Sequence, residues 1–192
     1  CEMLINVTLS DSVTNIGSYA FNNCENIQSL IIPGNVMSID SYAFNGCSNL
    51  ISVIIEDGVT KIGSGAFKGC YNLTKLEIPN SVTNIGSGAL SGCSGFKALT
   101  IPFVGSKRGN SDSSDSLFGY IFGTSSYSGG VSTSQAYFID TSSRNGVIYY
   151  IPSTLKEVII TGGNILYRAF ENCNNLTSIE ILDSVTSIDD YA

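Results

Sequence analysis

Five cysteines recur every 23 residues along the first half of the chain, at positions 1, 24, 47, 70 and 93. The residues between them repeat with the same period, as in VTLSDSVTNIGSYAF from Val7 and LEIPNSVTNIGSGAL from Leu76. A fixed period of this length is typical of a solenoid, in which each repeat forms one coil and needs its neighbours for stability. The sequence therefore predicts a stack of coils, and Cys173 marks a later coil of the same kind.

Apolar residues occupy the same positions in every repeat when the cysteine is counted as position one. Positions seven and nine are apolar throughout, for example Leu30 and Ile32. A spacing of two is the period of a strand, so these side chains point to one side of a short strand. We expect a parallel sheet along the solenoid. Ser18 and its equivalents should cap a short helical turn before the next cysteine, and Asn or Gly should end that turn.

Six cysteines raise the question of disulfides or a metal site. Stacked coils place successive cysteines about 4.8 Å apart, within the Cα range of a disulfide, about 4.4–6.8 Å. However, side chains in such a column point in parallel instead of toward each other. The chain has no histidine, and a straight column does not supply a tetrahedral zinc site. We therefore expect buried thiols that act as small hydrophobes, with no metal and no cofactor.

The repeat pattern C-x-x-L-x-x-L-x-I-P-x-x-V-x-x-I-x-x-x-A-F resembles the BspA-like (Treponema-type) leucine-rich repeat family of bacterial and some protist surface proteins. It is carried by Cys24, Ile27, Leu30, Ile32, Pro33, Val36, Ile39, Ala43 and Phe44. The resemblance implies a β-rich leucine-rich repeat solenoid of the right-handed superhelix type, with short strands and short helical turns. It also implies an extracellular or cell-surface location and a role in adhesion and protein binding, without catalytic residues.

An interruption of the period divides the chain into three parts. We predict leucine-rich repeat coils over residues 1–102, an insert packed on the solenoid over 103–151, and coils continuing the same solenoid over 152–192. Both ends of the chain interrupt a repeat, as expected for part of a longer array. In the returning coil two residues are missing between Ile160 and Ile165, and Gly162-Gly163 should make the tighter corner.

The insert is too rich in aromatic residues for a disordered linker. We predict a short helical or 3₁₀ segment near residues 117–122 and strands near 135–139 and 147–151. Arg144-Asn145-Gly146 should form the hairpin turn between the two strands. The insert should pack against the side of the solenoid and replace one or two regular coils.

Outward-facing strand positions five, six and eight form the candidate partner-binding face. Its position-eight residues are Ile31, Ile54, Glu77, Thr100, Ile159 and Glu180. Ile31 and Ile54 would make a stacked apolar patch, and such a patch can mark an interface, although β-branched residues also suit an exposed strand without any partner. The insert adds the candidate contacts Tyr120, Tyr127 and Tyr137, because tyrosine is enriched at interfaces.

Charge and hydropathy exclude two classes of partner. The net charge of −7 argues against nucleic acid, which requires a basic surface. No apolar run approaches the roughly 18 residues that membrane insertion requires.

The sequence favours a noncatalytic cell-surface or secreted module that binds an extracellular protein or glycan. One alternative is a structural spacer or stalk that displays another domain. Another is a carbohydrate-active enzyme that uses a carboxylate pair of the insert, drawn from Asp112, Asp115 and Asp140.

Overall fold

In the computed structural model the chain forms a β-solenoid with little helix, which confirms the predicted fold class. The structure describes residues 1, 3–110, 113–138 and 144–192. In chain order the strands are β1 (Asn15–Ile16), β2 (Ser29–Ile32), β3 (Ser38–Ile39), β4 (Ser52–Ile55), β5 (Lys61–Ile62), β6 (Lys75–Glu77), β7 (Asn84–Ile85), β8 (Ala98–Ile101), β9 (Gly130–Phe138), β10 (Arg144–Pro152), β11 (Glu157–Ile160), β12 (Gly163–Ile165), β13 (Ser178–Ile181) and β14 (Val185–Ile188). Two 3₁₀ turns, Ser114–Ser116 and Phe118–Ile121, lie between β8 and β9 and confirm the prediction near residues 117–122.

Strands of neighbouring coils pair in parallel along two sides of the stack. On one side β1, β3, β5 and β7 form a sheet in that order, and β12 pairs with β14. On the other side β2 pairs with β4, while β6, β8, β11 and β13 form a four-stranded sheet. In both sheets the ladder joins equivalent positions, as in Leu30 opposite Val53. Side chains at equivalent positions of neighbouring coils therefore stack directly on one another.

Columns of apolar side chains fill the interior. Phe21, Phe44 and Phe67 stack with ring centroids 5.2 and 5.5 Å apart and nearly parallel planes. The buried apolar residues of the third coil show the pattern: Cys47, Leu50, Val53, Ile55, Val59, Ile62, Ala66 and Phe67. Burial of a large apolar side chain contributes about 1.5–3 kcal/mol, and here the adjacent coils provide the cover. The coils are consequently stable only as a stack.

The cysteine column lies within this interior. Cys47 donates its thiol proton to the Phe21 carbonyl oxygen (3.2 Å), and Cys93 donates to that of Phe67 (3.2 Å). All six cysteines are free thiols, and the four from position 24 to position 93 are buried, as predicted, whereas Cys1 is exposed. Burial raises the pKa of Cys47 and Cys93 to about 12. These thiols therefore stay protonated at neutral pH, and a protonated, buried thiol is unreactive.

The corner that precedes each cysteine is a stack of turns, and the predicted short helical turn is wrong for the regular coils. Phe21 N–H donates to the Ala43 carbonyl oxygen of the next coil (2.8 Å), whereas Asn22 N–H bonds within its own coil to Tyr19 (3.1 Å). A helix would keep these donors for its own carbonyl groups. Bonds between coils replace the helical ones, and they also fix the stacking. The residue before each cysteine is left-handed, as predicted, for example Gly46 with φ of 74°.

Part of the insert belongs to the fifth coil, which stacks on the fourth. Strands β8 and β11 pair directly, so the sheet continues across residues 103–151. Ile85 N–H donates to the Ser106 carbonyl oxygen (2.7 Å), and Leu90 N–H donates to that of Ile121 (2.9 Å). Two segments of the insert thus continue the columns of the coil below.

The sixth coil begins at Pro152, which takes the place of a cysteine. Leu155 N–H donates to the Pro152 carbonyl oxygen (3.1 Å), as Leu73 N–H does to that of Cys70 (3.2 Å). Gly163 has φ of 73° in the shortened corner of this coil, which confirms the predicted glycine corner.

Strands β9 and β10 form a nine-residue antiparallel hairpin that extends from the fifth coil. The predicted turn at Arg144-Asn145-Gly146 is wrong. These residues lie inside β10, where Asn145 pairs with Tyr137 and Gly146 with Ala136. Pairing continues past the Asn-Gly dipeptide because each additional pair satisfies further backbone groups. The connecting residues 139–143, including the predicted strand end at position 139, lie outside the described residues.

Gln135 fixes this hairpin to the solenoid. Its side chain is fully buried. The side-chain oxygen accepts from Gly119 N–H (2.7 Å), and the amide nitrogen donates to the Ala169 carbonyl oxygen (2.8 Å). One side chain thereby joins the 3₁₀ turn of the fifth coil to the corner of the sixth.

Candidate binding surface

Position-eight side chains of the second and third coils point away from the interior. Burial alternates along β2 and β4, so Leu30 and Ile32 face the core while Ile31 faces outward. Ile31 and Ile54 are direct partners in the parallel ladder, and each is 54% exposed. Neighbouring strands lie about 4.8 Å apart, so the two side chains form one surface. We call Ile31 and Ile54 the isoleucine patch.

The remaining position-eight residues differ in exposure. Glu77 and Glu180 are exposed, and Ile159 is half-buried. Thr100 is only 7% exposed, so its prediction as an outward contact residue is wrong. Its ladder partners are Glu77 on one side and Ile159 on the other.

A groove of about 670 Å³ adjoins the isoleucine patch on the same face. It lies between the third and fourth coils, where β4 and β6 belong to different sheets and the ladder is interrupted. Its residues are Ile51, Ser52, Val53, Ile54, Ile55, Glu56, Asp57, Thr74, Lys75, Glu77 and Pro79. Ile51 and Ile54 are each 54% exposed and give it an apolar wall. This volume lies within the range of about 300–1,000 Å³ that is typical of ligand pockets.

Charged side chains of both signs line the groove, with carboxylates in excess. Glu56, Asp57 and Glu77 contribute three carboxylates, and Lys75 contributes one ammonium group. Glu56 is held in place because one of its oxygens accepts from Gly34 N–H (3.1 Å). The groove therefore combines an apolar wall with a net negative charge.

The insert tyrosines lie in three different parts of the insert. Tyr120 belongs to the 3₁₀ turn that stacks on Gly88 at the corner, and Gly88 N–H donates to its carbonyl oxygen (3.0 Å). Tyr127 donates its hydroxyl to the Tyr150 carbonyl oxygen (2.8 Å), and Tyr137 accepts from the Asn145 amide (3.2 Å). Burial raises the pKa of both Tyr120 and Tyr127. All three tyrosines are half-buried, so each presents only part of its ring to a partner.

The enzymatic alternative depends on carboxylates of the insert, of which only Asp115 is described. Asp112 and Asp140 lie outside the described residues. Burial acts to raise the pKa of Asp115, but hydrogen bonds from Ser106 (2.6 Å) and Ser113 outweigh it, so that the pKa is lowered. A carboxyl group with a lowered pKa is ionised at neutral pH and is a poor proton donor. In the described part of the chain, no three His, Cys, Asp or Glu side chains form a possible metal site.

Sequence reasoning found the isoleucine patch but missed the groove. The repeat pattern places Ile51, Lys75 and Glu77 at outward positions, which is the signal that was available. It does not reveal that the ladder is interrupted between β4 and β6, because both coils have the regular length.

Among the described residues, the structure has no helix of the length and hydropathy that a membrane-spanning segment requires.

Two solved bacterial structures resemble this fold. The leucine-rich repeat protein of T. pallidum is 22% identical over 92% of this chain, with a TM-score of 0.58. A leucine-rich repeat protein from Eubacterium ventriosum is 22% identical over 92% of this chain, with a TM-score of 0.54. The chain spans 66% and 37% of the lengths of these two proteins.

Family comparison extends this likeness from the fold to the sequence. No curated protein matches the chain. The family model described as BspA type leucine rich repeat region matches in six copies over residues 1–110 and 147–192. These ranges cover the regular coils and exclude most of the insert. The chain therefore belongs to the BspA-type leucine-rich repeat family.

Proposed function

We propose that this chain is a noncatalytic recognition module of a cell-surface or secreted protein, and that it binds an extracellular protein or glycan through the face formed by β2, β4 and β6. The observation that carries the proposal is the isoleucine patch, two adjacent side chains that are each 54% exposed. Water contact with such a patch is unfavourable, and a partner that covers it gains the corresponding free energy. Membership of the BspA-type family supports a binding role.

The cysteines are compatible with an extracellular location. The four thiols between positions 24 and 93 are buried in the coils, and burial raises the pKa of Cys47, Cys70 and Cys93. Oxidants react with exposed thiolates, so these thiols are protected in an oxidising environment without forming disulfides. The buried cysteines are therefore consistent with the proposed extracellular location.

A spacer or stalk is the second candidate function, and the outward face distinguishes it from a binding module. A pure spacer gains nothing from exposed apolar side chains on a strand. Ile31, Ile51 and Ile54 are all more than half exposed on neighbouring coils, and this grouping favours binding.

Charge introduced into the isoleucine patch tests the proposal. The chain would be screened against extracellular-matrix proteins and a glycan array, and ligands would be measured again with the Ile31→Asp/Ile54→Asp variant. We expect at least a tenfold loss of affinity, because each aspartate would bring an unpaired charge into an apolar contact. Unfolding by urea should be little changed, since both positions are exposed.

The matched control is Ile148→Asp on the hairpin, where the isoleucine is 55% exposed. This variant should keep the affinity of the unmodified chain. If the double variant binds every ligand as tightly as the unmodified chain does, the strand face is not the binding surface. If no ligand is found in either screen, the spacer function is favoured.

A further inference from the structure

The groove beside the isoleucine patch has two walls of different chemistry. Ile51 and Ile54 of the third coil form the apolar wall, and Thr74, Lys75 and Glu77 of the fourth coil form the polar wall. The groove is open along its length because β4 and β6 are not hydrogen-bonded to one another. Its shape and chemistry suit a ligand that presents one apolar and one polar side.

The acidic end of the groove contacts the second coil. A side chain at Gly34 would overlap the Asp57 carbonyl oxygen, so the two corners are in direct contact. Gly34 N–H also donates to Glu56 (3.1 Å). This hydrogen bond holds the Glu56 carboxylate, and the backbone contact fixes the main chain at Asp57, before any ligand arrives. A site arranged in advance loses less conformational entropy on binding.

We propose that this groove binds an extended protein segment in which an aliphatic or aromatic side chain lies next to lysine or arginine. The inference rests on the proposed function and specifies the chemistry of the partner. The apolar side chain of the segment would lie against Ile51 and Ile54, and its cationic group would face Glu56, Asp57 and Glu77. Complementary charge of this kind selects partners and accelerates association.

A glycan fits the groove less well than such a segment. Pockets for small molecules are lined mainly by apolar and aromatic side chains, whereas the residues that line this groove include no aromatic one. An acidic peptide would meet three carboxylates and only one ammonium group. The charge and the apolar wall therefore favour a basic, partly apolar segment of protein.

Selection from a random peptide library tests the inference directly. Phage-displayed dodecamers would be selected on the immobilised chain, and enriched sequences would be synthesised with a fluorescent label. We expect enrichment of lysine or arginine beside leucine, isoleucine or phenylalanine. The affinity of these peptides, measured by fluorescence anisotropy, should fall as the salt concentration rises because screening weakens the attraction between charges.

Two charge reversals at equivalent positions locate the site. Glu77→Lys changes the groove, and Glu180→Lys makes the same change at position eight of the seventh coil, three coils away. Both residues are exposed, so both variants should fold. Glu77→Lys should weaken binding of the selected peptides by about tenfold or more, while Glu180→Lys should leave it within about twofold.

Three results would overturn the groove inference: no enrichment, an acidic or neutral consensus, or equal losses in the two variants. Each of these leaves the broader recognition function to be decided by the isoleucine-patch variants and the screens of matrix proteins and glycans. Conversely, basic peptides that are weakened only by Glu77→Lys would support the groove even if the screens identify no natural ligand.

Discussion

The buried thiols of Cys47, Cys70 and Cys93 combine two environments, an apolar column and a polar partner. The Cys70 thiol is fully buried in the apolar core and donates to the Phe44 carbonyl oxygen (3.4 Å). The same contact recurs with a spacing of 26 residues at Cys47 and Cys93. A weak donor thus satisfies a corner carbonyl group without bringing a strongly polar atom into the core.

These thiols predict a loss of stability in alkaline solution. In the unfolded chain they ionise near the ordinary pKa of 9.0, whereas burial raises the pKa of folded Cys93 to about 12. The folded state keeps its thiol protons over this interval. The contribution of the Cys93 thiol to the free energy of unfolding is therefore fully present below about pH 9, and it falls by about 1.4 kcal/mol per pH unit as the pH rises toward the folded pKa.

Urea unfolding at a series of pH values between about 8 and 10.5 measures this dependence. The control is Cys93→Ala, which removes one buried thiol and should decline less steeply with pH. Lysine and tyrosine titrate in both proteins and cancel in the comparison. Equal slopes for the two proteins would show that Cys93 ionises as easily in the folded state as in the unfolded state.

At the scale of an element, the buried Gln135 side chain makes two of the hydrogen bonds that attach the hairpin β9–β10 to the solenoid. Gln135→Leu keeps a side chain of similar size but leaves the buried Gly119 N–H without its acceptor. An unsatisfied buried donor costs about 1–3 kcal/mol, and we expect a loss of this size in the free energy of unfolding. Hydrogen exchange at Gly119 should also become faster than in the unmodified chain.

Ser132→Ala serves as the comparison on the same strand, since Ser132 is exposed. Its effect on unfolding should stay within about 0.5 kcal/mol. A Gln135→Leu protein as stable as the Ser132→Ala protein would indicate that water or another side chain replaces the lost hydrogen bond.

Elements whose geometry follows from the period of 23 could be predicted, and elements that depend on contacts between coils could not. The strand containing Leu30 and Ile32 follows from a spacing of two. The local pattern near Phe21 predicts a helical corner, but the Phe21 N–H group donates to Ala43 of the next coil, a contact that no local pattern reveals. The hairpin turn was misplaced for a similar reason, since cross-strand pairing extends beyond Gly146.

The candidate site shows the same division. Ile31 and Ile54 could be predicted because strand alternation places them outward. The low exposure of Thr100 could not, because strand alternation gives the direction of a side chain but not how much of it the rest of the molecule covers. The groove depends on how the third coil meets the fourth, and neither coil departs from the regular length. The groove is therefore visible only in the three-dimensional arrangement of the two coils.

For the whole molecule, the linear stack predicts that equivalent substitutions differ in cost from coil to coil. Position nine is 1% exposed at Ile78 in the fourth coil and 40% exposed at Ile181 in the seventh. Ile78→Ala should cost about 2–5 kcal/mol, because it removes buried methyl groups and leaves a cavity. Ile181→Ala should cost less than about 1 kcal/mol, because this side chain is already in contact with water.

Urea unfolding of the two variants, followed by circular dichroism and by tyrosine fluorescence, tests this prediction. In a stack whose stability is the sum of coil and interface terms, the Ile181→Ala change should affect mainly the seventh coil. Similar losses for the two variants would mean that the seventh coil is covered in solution, for example by self-association, which sedimentation velocity would detect.

The hairpin leaves and rejoins the solenoid at one corner, where Tyr150 N–H donates to the Gly123 carbonyl oxygen (3.1 Å). Strands β8 and β11 pair directly, although the whole insert lies between them in the sequence. We therefore expect that the hairpin can be replaced by an unrelated segment whose two ends are as far apart as those of the hairpin. Such a replacement should leave the spacing between coils unchanged. Segments of different sequence could thus be added at the side of the solenoid without adding a coil.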